Sequence, residues 1–492
     1  MPAVMLQGTG SDVGKSVLVA GLCRVFANRG LAVRPFKAQN MSNNAAPTAD
    51  GGEIGRAQAL QAQACRVKPS IHMNPVLLKP ESDTTAQVIV HGSVYGKLGA
   101  AYFNGGRASL LDPVMQSFER LKAESDLVIV EGAGSPAEIN LRTGDIANMG
   151  FARPAGVPVI LVGDIDRGGV IASVVGTKTI LDPEDAAMIK GFLINRFRGD
   201  VSLFQDGYRA IEERTGWRGL GIVPWIAAAR SLPEEDAIPA DIRGKDGVTI
   251  AVPLLPRIAN HDDFDALEAE ASVRIIRVPP GQALPGNAAL VILPGSKATI
   301  SDLAFLRAQG WDLDLAGHIR RGGYVLGLCG GYQMLGKTIA DPLGLEGTPG
   351  VVPGLGLLPV NTVLGADKRV TEVDGISLRD RTPFRGYEIH CGQTELDSGA
   401  EPFLRLSNGS LDGAVSQDGH IAGCYVHRLF DDSRQRTRWL TLLGGAASDG
   451  IDQTARVEAA LDAVAAELTG CLDIEGILSI AFSDESIFTK KD

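Results

Sequence analysis

The sequence predicts an α/β protein made of two doubly wound domains. Three observations carry that prediction. Apolar runs of strand length recur in two separate sets, Val4–Leu6, Leu127–Val130, Val159–Val162 and Phe192–Ile194, then Thr249–Leu254 and Ala289–Leu293. Several of them end in polar or glycine-marked clusters, as buried parallel strands do where ligands collect at their C-terminal ends. A glycine-rich loop follows the first run of the first set. A cysteine between glycines, Gly327-Leu328-Cys329-Gly330-Gly331, follows a further run, Tyr324-Val325-Leu326, in the second. A chain of 492 residues is long enough for two or more cores, and 45% apolar content with 60 glycines and few aromatics suits this class.

The first half opens with Val4-Met5-Leu6, then Gly8-Thr9-Gly10-Ser11-Asp12-Val13-Gly14-Lys15-Ser16. Leu18, Leu22, Val25 and Phe26 follow at helical spacing, and Gly30 marks a stop. Strand, glycine-rich loop, Lys-Ser and helix make a phosphate-binding loop: backbone N–H groups cradle phosphates, Lys15 reaches the terminal ones and the Ser16 hydroxyl binds Mg²⁺. The spacing departs from the commonest form, because Thr9 stands at its first glycine position and Gly8 one residue earlier. Gly10, Asp12, Gly14, Lys15 and Ser16 are the nucleotide candidates within the loop. The strand Leu127–Val130 delivers Glu131 to a C-terminal strand end, where it is the second metal candidate beside Ser16. Asp164, Asp166 and Arg167 follow another strand, and Asn195-Arg196 a third, which makes Asn195 a further nucleotide candidate.

Two segments read as recognition surfaces. Phe36–Asn44 is dense in amide side chains, and Glu131–Leu141 joins a carboxylate, tight turns and another amide. Amides and a lysine suit a ligand bearing carboxylates and amides, so Lys37, Gln39, Asn40, Asn43 and Asn140 are the substrate candidates. An ordinary turn is the competing reading for Asn43-Asn44. Lys79 faces either an anionic ligand or the surface.

Residues 231–247 are charged and marked by proline and glycine, as a linker is. They divide a domain over 1–230 from one over 248–440. Val457, Leu461, Val464 and Leu468 predict an amphipathic helix within a C-terminal extension and tail over 441–492. In the second domain, strand, Gly-flanked Cys329 and a helix-compatible Tyr332–Leu335 give the layout of a nucleophile elbow. A thiol there meets N–H groups at a helix N-terminus, which stabilise a thiolate and an oxyanion. A buried core cysteine is the alternative. The turn Pro294-Gly295-Ser296-Lys297 ends another strand, and the N–H groups of Gly295 and Gly330 are the candidates for an oxyanion hole. Of seven histidines, His427 at a strand end and His390 are rival bases for the thiol.

Net charge of −11 argues against nucleic-acid or anionic-membrane partners. Six scattered cysteines suit a reducing compartment and no zinc site. No basic segment leads the apolar N-terminus, and no apolar run is long enough to span a bilayer. A cytoplasmic location is expected.

With both halves in view, the chain resembles the cobyric acid synthase family, from about residue 3 to about residue 470. Gln7–Ser16, Pro35–Asn44, Glu131–Leu141, Pro294–Lys297, Gly327–Gly331, Tyr387–His390 and Tyr425–Phe430 carry the resemblance. The phosphate loop alone is widely shared and is also similar to that of dethiobiotin synthetase. Lys37–Asn44 and Glu131–Asn140 are far more specific. The resemblance implies an N-terminal P-loop NTPase domain acting as an ATP-dependent synthetase and a C-terminal class I glutamine amidotransferase-like domain. It implies Cys329 as glutaminase nucleophile, His427 as base, ATP as co-substrate with Mg²⁺, and glutamine and a corrinoid as substrates. The corrinoid would be adenosylcobyrinic acid a,c-diamide, amidated at its b, d, e and g carboxylates, with ammonia passing between domains along a shielded path. The commoner class I pattern has a glutamate two residues after the histidine. Leu429 stands there, so a pair rather than a triad is expected, with Glu388 the candidate for orienting His427. Rival readings are a cobyrinic acid a,c-diamide synthase, against which the segment 39–44 argues, and a partition-type switch ATPase, which leaves Cys329 and His427 without a role.

Overall fold

Six strands form the central sheet of the N-terminal half, and the inner runs Ala3–Gly8, Leu127–Glu131 and Val159–Asp164 are buried throughout, as strands covered on both faces must be. The computed structural model describes residues 2–80, 85–98, 109–233 and 247–482. The strands are β1 (Ala3–Gly8), β2 (Val33–Phe36), β3 (Leu127–Glu131), β4 (Val159–Asp164), β5 (Ile189–Phe197) and β6 (Arg218–Pro224). They pair in parallel in the order β6-β5-β4-β1-β3-β2. Register sets Leu6 beside Glu131, Gly8 beside Val162 and Asp164 beside Asn195, which brings the sequence-marked ends to one edge. Helix α1 (Lys15–Asn28) leaves the loop after β1 at Gly14, whose φ of 89° is left-handed. A side chain at Gly14 would also collide with the Asn195 amide. A smaller sheet carries a strand over Gln39–Met41 paired in parallel with Val76–Pro80, and helix α2 (Arg56–Ala64) lies between them in sequence.

The described chain divides into two units. The first takes the residues up to Ser42, Thr48–Pro233 and Val457 onward; the second takes Asn43–Pro47 and the stretch up to Arg456. The helix expected around Val457–Leu468 spans Gln453–Cys471, and from Val457 on it lies in the first unit. Val457, Leu461, Val464 and Leu468 share one core cluster with Leu18, Leu22 and Phe26 of α1. Gly21 permits this approach, since a Cβ there would run into Leu468 and Val464. Arg24, wholly buried on α1, pairs with Glu458 at 2.6 Å. A second helix, Ile474–Phe482, extends this packing, and the Asp473 N–H donates to the Leu220 carbonyl. The expected linker falls largely on 234–246, outside the described residues, as does 483–492 of the expected tail.

The second unit has β7 (Val248–Pro253), β8 (Val273–Val278), β9 (Leu290–Leu293), β10 (Tyr324–Leu328), β11 (Ala414–Val415) and β12 (Ile421–Cys424), in the order β8-β7-β9-β10-β12-β11. All neighbours are parallel except the last pair. A further sheet, built on the long antiparallel strands Val360–Ser377 and Pro383–Leu396, ends in a short strand over Val426–His427, with Tyr387 opposite His427. Among the described residues no helix is long and apolar enough to cross a membrane.

Candidate active sites

The phosphate loop of the first unit closes around Lys15. Its ammonium donates to the carbonyls of Gly10 at 3.1 Å and Gly134 at 3.2 Å, so it spans from the loop to the turn after β3. Asn195 braces the loop by donating to the Val13 carbonyl at 2.8 Å. Asp12 is exposed, with left-handed φ of 55°, and lies 3.9 Å from Arg167. Asp164 pairs with Arg196 at 3.0 Å.

Glu131 is the hub of this centre. One carboxylate oxygen accepts from the Ser16 hydroxyl at 2.8 Å and from Lys37 at 2.9 Å, and the Gln61 amide donates to the other. Burial alone would raise the Glu131 carboxyl, but the Lys37 ammonium and the three hydrogen bonds hold it below the usual range. An ionised carboxylate beside a serine hydroxyl at the mouth of a phosphate loop is a hard-oxygen donor set of the kind Mg²⁺ takes. Gln61 escaped sequence reasoning. Its signal was its place on α2 three residues from Gln58, a face that only the fold turns toward β3.

Of the substrate candidates, Lys37, Gln39 and Asn40 are buried in the first unit. Asn40 donates to Gln58 at 2.9 Å. Gln39 Oε1, Gln58 Nε2 and Gln61 Oε1 are buried polar atoms without a hydrogen-bond partner among the described residues, and such orphans are costly unless a ligand completes them. Lys79 is not at the surface: it is buried and paired with Glu53 at 2.6 Å. Asn43 belongs to the second unit. Asn140 is exposed on a short 3₁₀ turn, Ile139–Leu141, apart from the buried cluster.

In the second unit β10 ends at Leu328, Cys329 takes φ 50° and ψ −107°, and α3 (Gly330–Leu335) begins. This backbone strain at a non-glycine residue is the mark of an elbow. Added Cβ atoms would foul Leu293 main chain at Gly331 and the Ser296 nitrogen, 2.8 Å away, at Gly330. The turn after β9 is pinned in place: Ala259 N–H donates to the Gly295 carbonyl at 3.0 Å and Lys297 N–H to the Arg257 carbonyl at 2.9 Å. Between those two bonds the Ser296 nitrogen is the main-chain group that lies against Gly330. A side chain on Gly295 would stand 3.0 Å from His427 Cε1. Ser296 is held from behind by Asp302, which accepts from its hydroxyl at 2.6 Å and which burial pushes up to about 6.

His427 is buried, and its Nδ1 lies 2.9 Å from Asp263 Oδ2. The other Asp263 oxygen accepts from the Arg428 N–H at 2.6 Å. The expectation of Glu388 as the orienting group is therefore corrected. Glu388 forms an ion pair with Arg369, and the carboxylate on His427 comes from Asp263, 164 residues earlier in the chain. The expected pair is a set of three. Burial alone would lower the His427 pKa, but the Asp263 carboxylate and the neighbouring Cys329 sulfur raise it well above the usual value. His390, the rival base, stacks on Tyr425 and is 2.8 Å from the Gly392 carbonyl, and burial lowers it to about 4.

The comparisons with known proteins divide the chain in the same order. Residues 4–240 match the CobQ/CobB/MinD/ParA nucleotide binding domain, and residues 249–435 match the CobB/CobQ-like glutamine amidotransferase domain. The chain is 60% identical over 484 residues to a cobyric acid synthase of Rhizorhabdus wittichii, covering 98% of this chain and 99% of that protein. It belongs to the cobyric acid synthase family. Cobyric acid synthases of Sphingopyxis alaskensis, at 60% identity over 98% of this chain and 99% of that one, and Methylorubrum populi, at 59% over 97% and 99%, agree. Membership in the cobyric acid synthase family gives both centres a place in one enzyme.

Proposed function

We propose that the protein amidates the b, d, e and g carboxylates of adenosylcobyrinic acid a,c-diamide to give adenosylcobyric acid, with ATP and glutamine, in the cytoplasm. The observation that carries this reading is the presence, in a chain of this family, of a thiol–imidazole–carboxylate set and a Lys–Ser–Glu phosphate site.

In the second unit His427 takes the proton of Cys329, and the thiolate attacks the side-chain carbonyl of glutamine. Asp263 keeps the His427 Nδ1 proton in place and stabilises the imidazolium. Main-chain N–H groups of Gly330 and of the Gly295–Ser296 turn hold the oxyanion. His427 returns its proton to the departing ammonia, and water then releases glutamate from the thioester. Asp263→Asn would keep the contact and lose the charge. It should lower the rate of glutamate release by about 10²–10⁴-fold with little change in glutamine KM, and a rate equal to that of the unaltered protein would remove Asp263 from the mechanism.

In the first unit Gly10, Gly14, Lys15, Ser16 and Asn195 hold the nucleotide, with Asp12 at the rim. Ser16 and Glu131 fit Mg²⁺, which when bound offsets phosphate charge. Lys15 supports the charge on the transferred phosphoryl group while a substrate carboxylate attacks the γ-phosphorus and ADP leaves; ammonia then attacks the acyl carbon of the resulting acyl phosphate and phosphate departs, leaving the amide. Lys37, Gln39 and Asn40 supply the buried polar contacts suited to a ligand rich in carboxylates and amides. Mass spectrometry of a corrin a,c-diamide after incubation with ATP, Mg²⁺ and glutamine tests the whole reading. Four successive amidations are expected, and an unchanged substrate mass would reject it.

A further inference from the structure

His427 has a second neighbour besides Asp263, one that the mechanism leaves unused. Asn260 ends the loop after β7 with a left-handed φ of 55°, and it is buried. Its Nδ2 lies 3.2 Å from His427 Nε2, the nitrogen that must receive the Cys329 proton. Its Oδ1 accepts the Ala45 N–H at 3.2 Å. Ala45 lies in Asn43–Pro47, the short segment that belongs to the second unit although Ser42 before it and Thr48 after it belong to the first. Asn44 strengthens that attachment: its amide lies 3.4 Å from the His261 Nε2, and its carbonyl oxygen accepts the His261 N–H at 3.4 Å.

The donors and acceptors fix how this amide is turned. A main-chain N–H can only donate, so Ala45 holds Asn260 with its oxygen outward and its NH₂ toward His427. In the form of the ring that still awaits the thiol proton, Asp263 accepts from Nδ1, so Nε2 carries the lone pair and takes the Asn260 hydrogen. Transfer of the thiol proton to Nε2 would set two hydrogens against each other across that contact. Turning the amide over would relieve it, presenting Oδ1 to the new N–H. The turn is opposed by Ala45, whose N–H would then face the NH₂.

We propose that Asn260 is a latch on the glutaminase base, locked by the Ala45 N–H and released when the Asn43–Pro47 segment shifts. This inference rests on the assignment of Cys329 and His427 as the glutaminase pair. The segment is continuous with Gln39–Ser42, which carries the acceptor-side amides, so acceptor binding at Gln39 and Asn40 pulls directly on the chain that sets the latch. Glutamine would then be hydrolysed rapidly only when an acceptor is in place to use the ammonia. The other ionisable groups facing His427 are Cys329, Asp263, Glu388, His390 and Tyr387, whose ring stacks on the imidazole at 5.3 Å. The Ala45 N–H bonds Asn260 Oδ1 and Asn260 in turn touches His427 Nε2, so Asn260 links the base to the segment.

The test compares the full-length protein with Asn260→Gly, which tolerates the left-handed backbone, and with Ala45→Pro, which deletes the locking N–H. Glutamate release is measured with and without ATP and corrin a,c-diamide, and Cys329 alkylation by iodoacetamide is followed against pH without either. Asn260→Gly should raise the unstimulated rate about five-fold, the factor one net hydrogen bond is worth. It should also bring the stimulated-to-unstimulated ratio toward one and move the alkylation profile to lower pH, and Ala45→Pro should do the same. Asn44→Ala, which leaves the main chain unrestricted, should move all three readouts the same way by a smaller amount. A glutaminase that falls equally with and without acceptor in Asn260→Gly, its ratio unchanged, would make Asn260 a structural residue and overturn the latch. An unaltered protein whose rate ignores ATP and acceptor would overturn it as well. Cys329→Ala serves as the separate control: glutamate release surviving in that variant would defeat the glutaminase assignment itself.

Discussion

Cys329→Ala should reduce glutamine-dependent amidation and glutamate release by about 10³-fold or more, because no other group can form the thioester. Free ammonia should still support amidation. The thiol is 8% exposed at the head of α3, and its replacement by a methyl group leaves Gly330, Gly331 and the pinned Gly295–Ser296 turn unaltered. The lesion is therefore confined to nitrogen supply. The ATP-dependent step is proposed for Lys15, Ser16 and Glu131, and the hydrogen bonds from Lys15 to Gly10 and Gly134 and from Ser16 to Glu131 lie within the first unit. Amidation measured side by side with glutamine and with ammonium chloride checks this. Loss of both would mean that Cys329 does more than release ammonia.

Lys15→Ala should give the complementary pattern, a fall of about 10²–10³-fold with either nitrogen source. The ammonium crosses from Gly10 to Gly134, so it organises two loops as well as carrying charge. Lys15→Arg is the informative companion: it keeps the charge but cannot fit a wider, planar head between two carbonyls about 3 Å from the ammonium. Phosphate release and corrin amidation should fall together in both variants. Full amidation by Lys15→Ala would sink the phosphate-loop assignment.

The parts of this protein that could be read from its sequence are those whose chemistry is local. A phosphate loop must keep its glycines, lysine and hydroxyl within a few residues of one another, and an elbow must keep glycine beside its nucleophile. The inner strands of both main sheets, such as Leu127–Glu131, Val159–Asp164 and Leu290–Leu293, were legible for a similar reason, since burial on both faces removes polar residues from the run, whereas Val33–Phe36, Arg218–Pro224 and Val273–Val278, each carrying arginine, were not. The long strands Val360–Ser377 and Pro383–Leu396 were not, because much of their length is exposed and charged residues such as Asp367, Lys368, Arg369, Glu372 and Asp374 interrupt the pattern. Asp263 was illegible for a different reason. It sits among Asp262 and Asp265 in one short polar stretch, and only the packing of that loop against His427 selects the middle carboxylate. Lys79 shows the same limit, since nothing in Leu77-Leu78-Lys79-Pro80 announces the buried partner Glu53.

The return of Val457–Phe482 to the first unit has a consequence for how the protein is made. Synthesis runs from the N-terminus, so the amidotransferase strands leave the ribosome while α1 still lacks the helix that covers Leu18 and Leu22. The nucleotide-binding half, begun first, is finished last. A premature stop shortly after residue 456 would spare every residue of the glutaminase centre and strip the cover from the phosphate-loop helix. Such a truncated chain would be expected to fail first in its use of ATP, at the end of the molecule farthest in sequence from the damage.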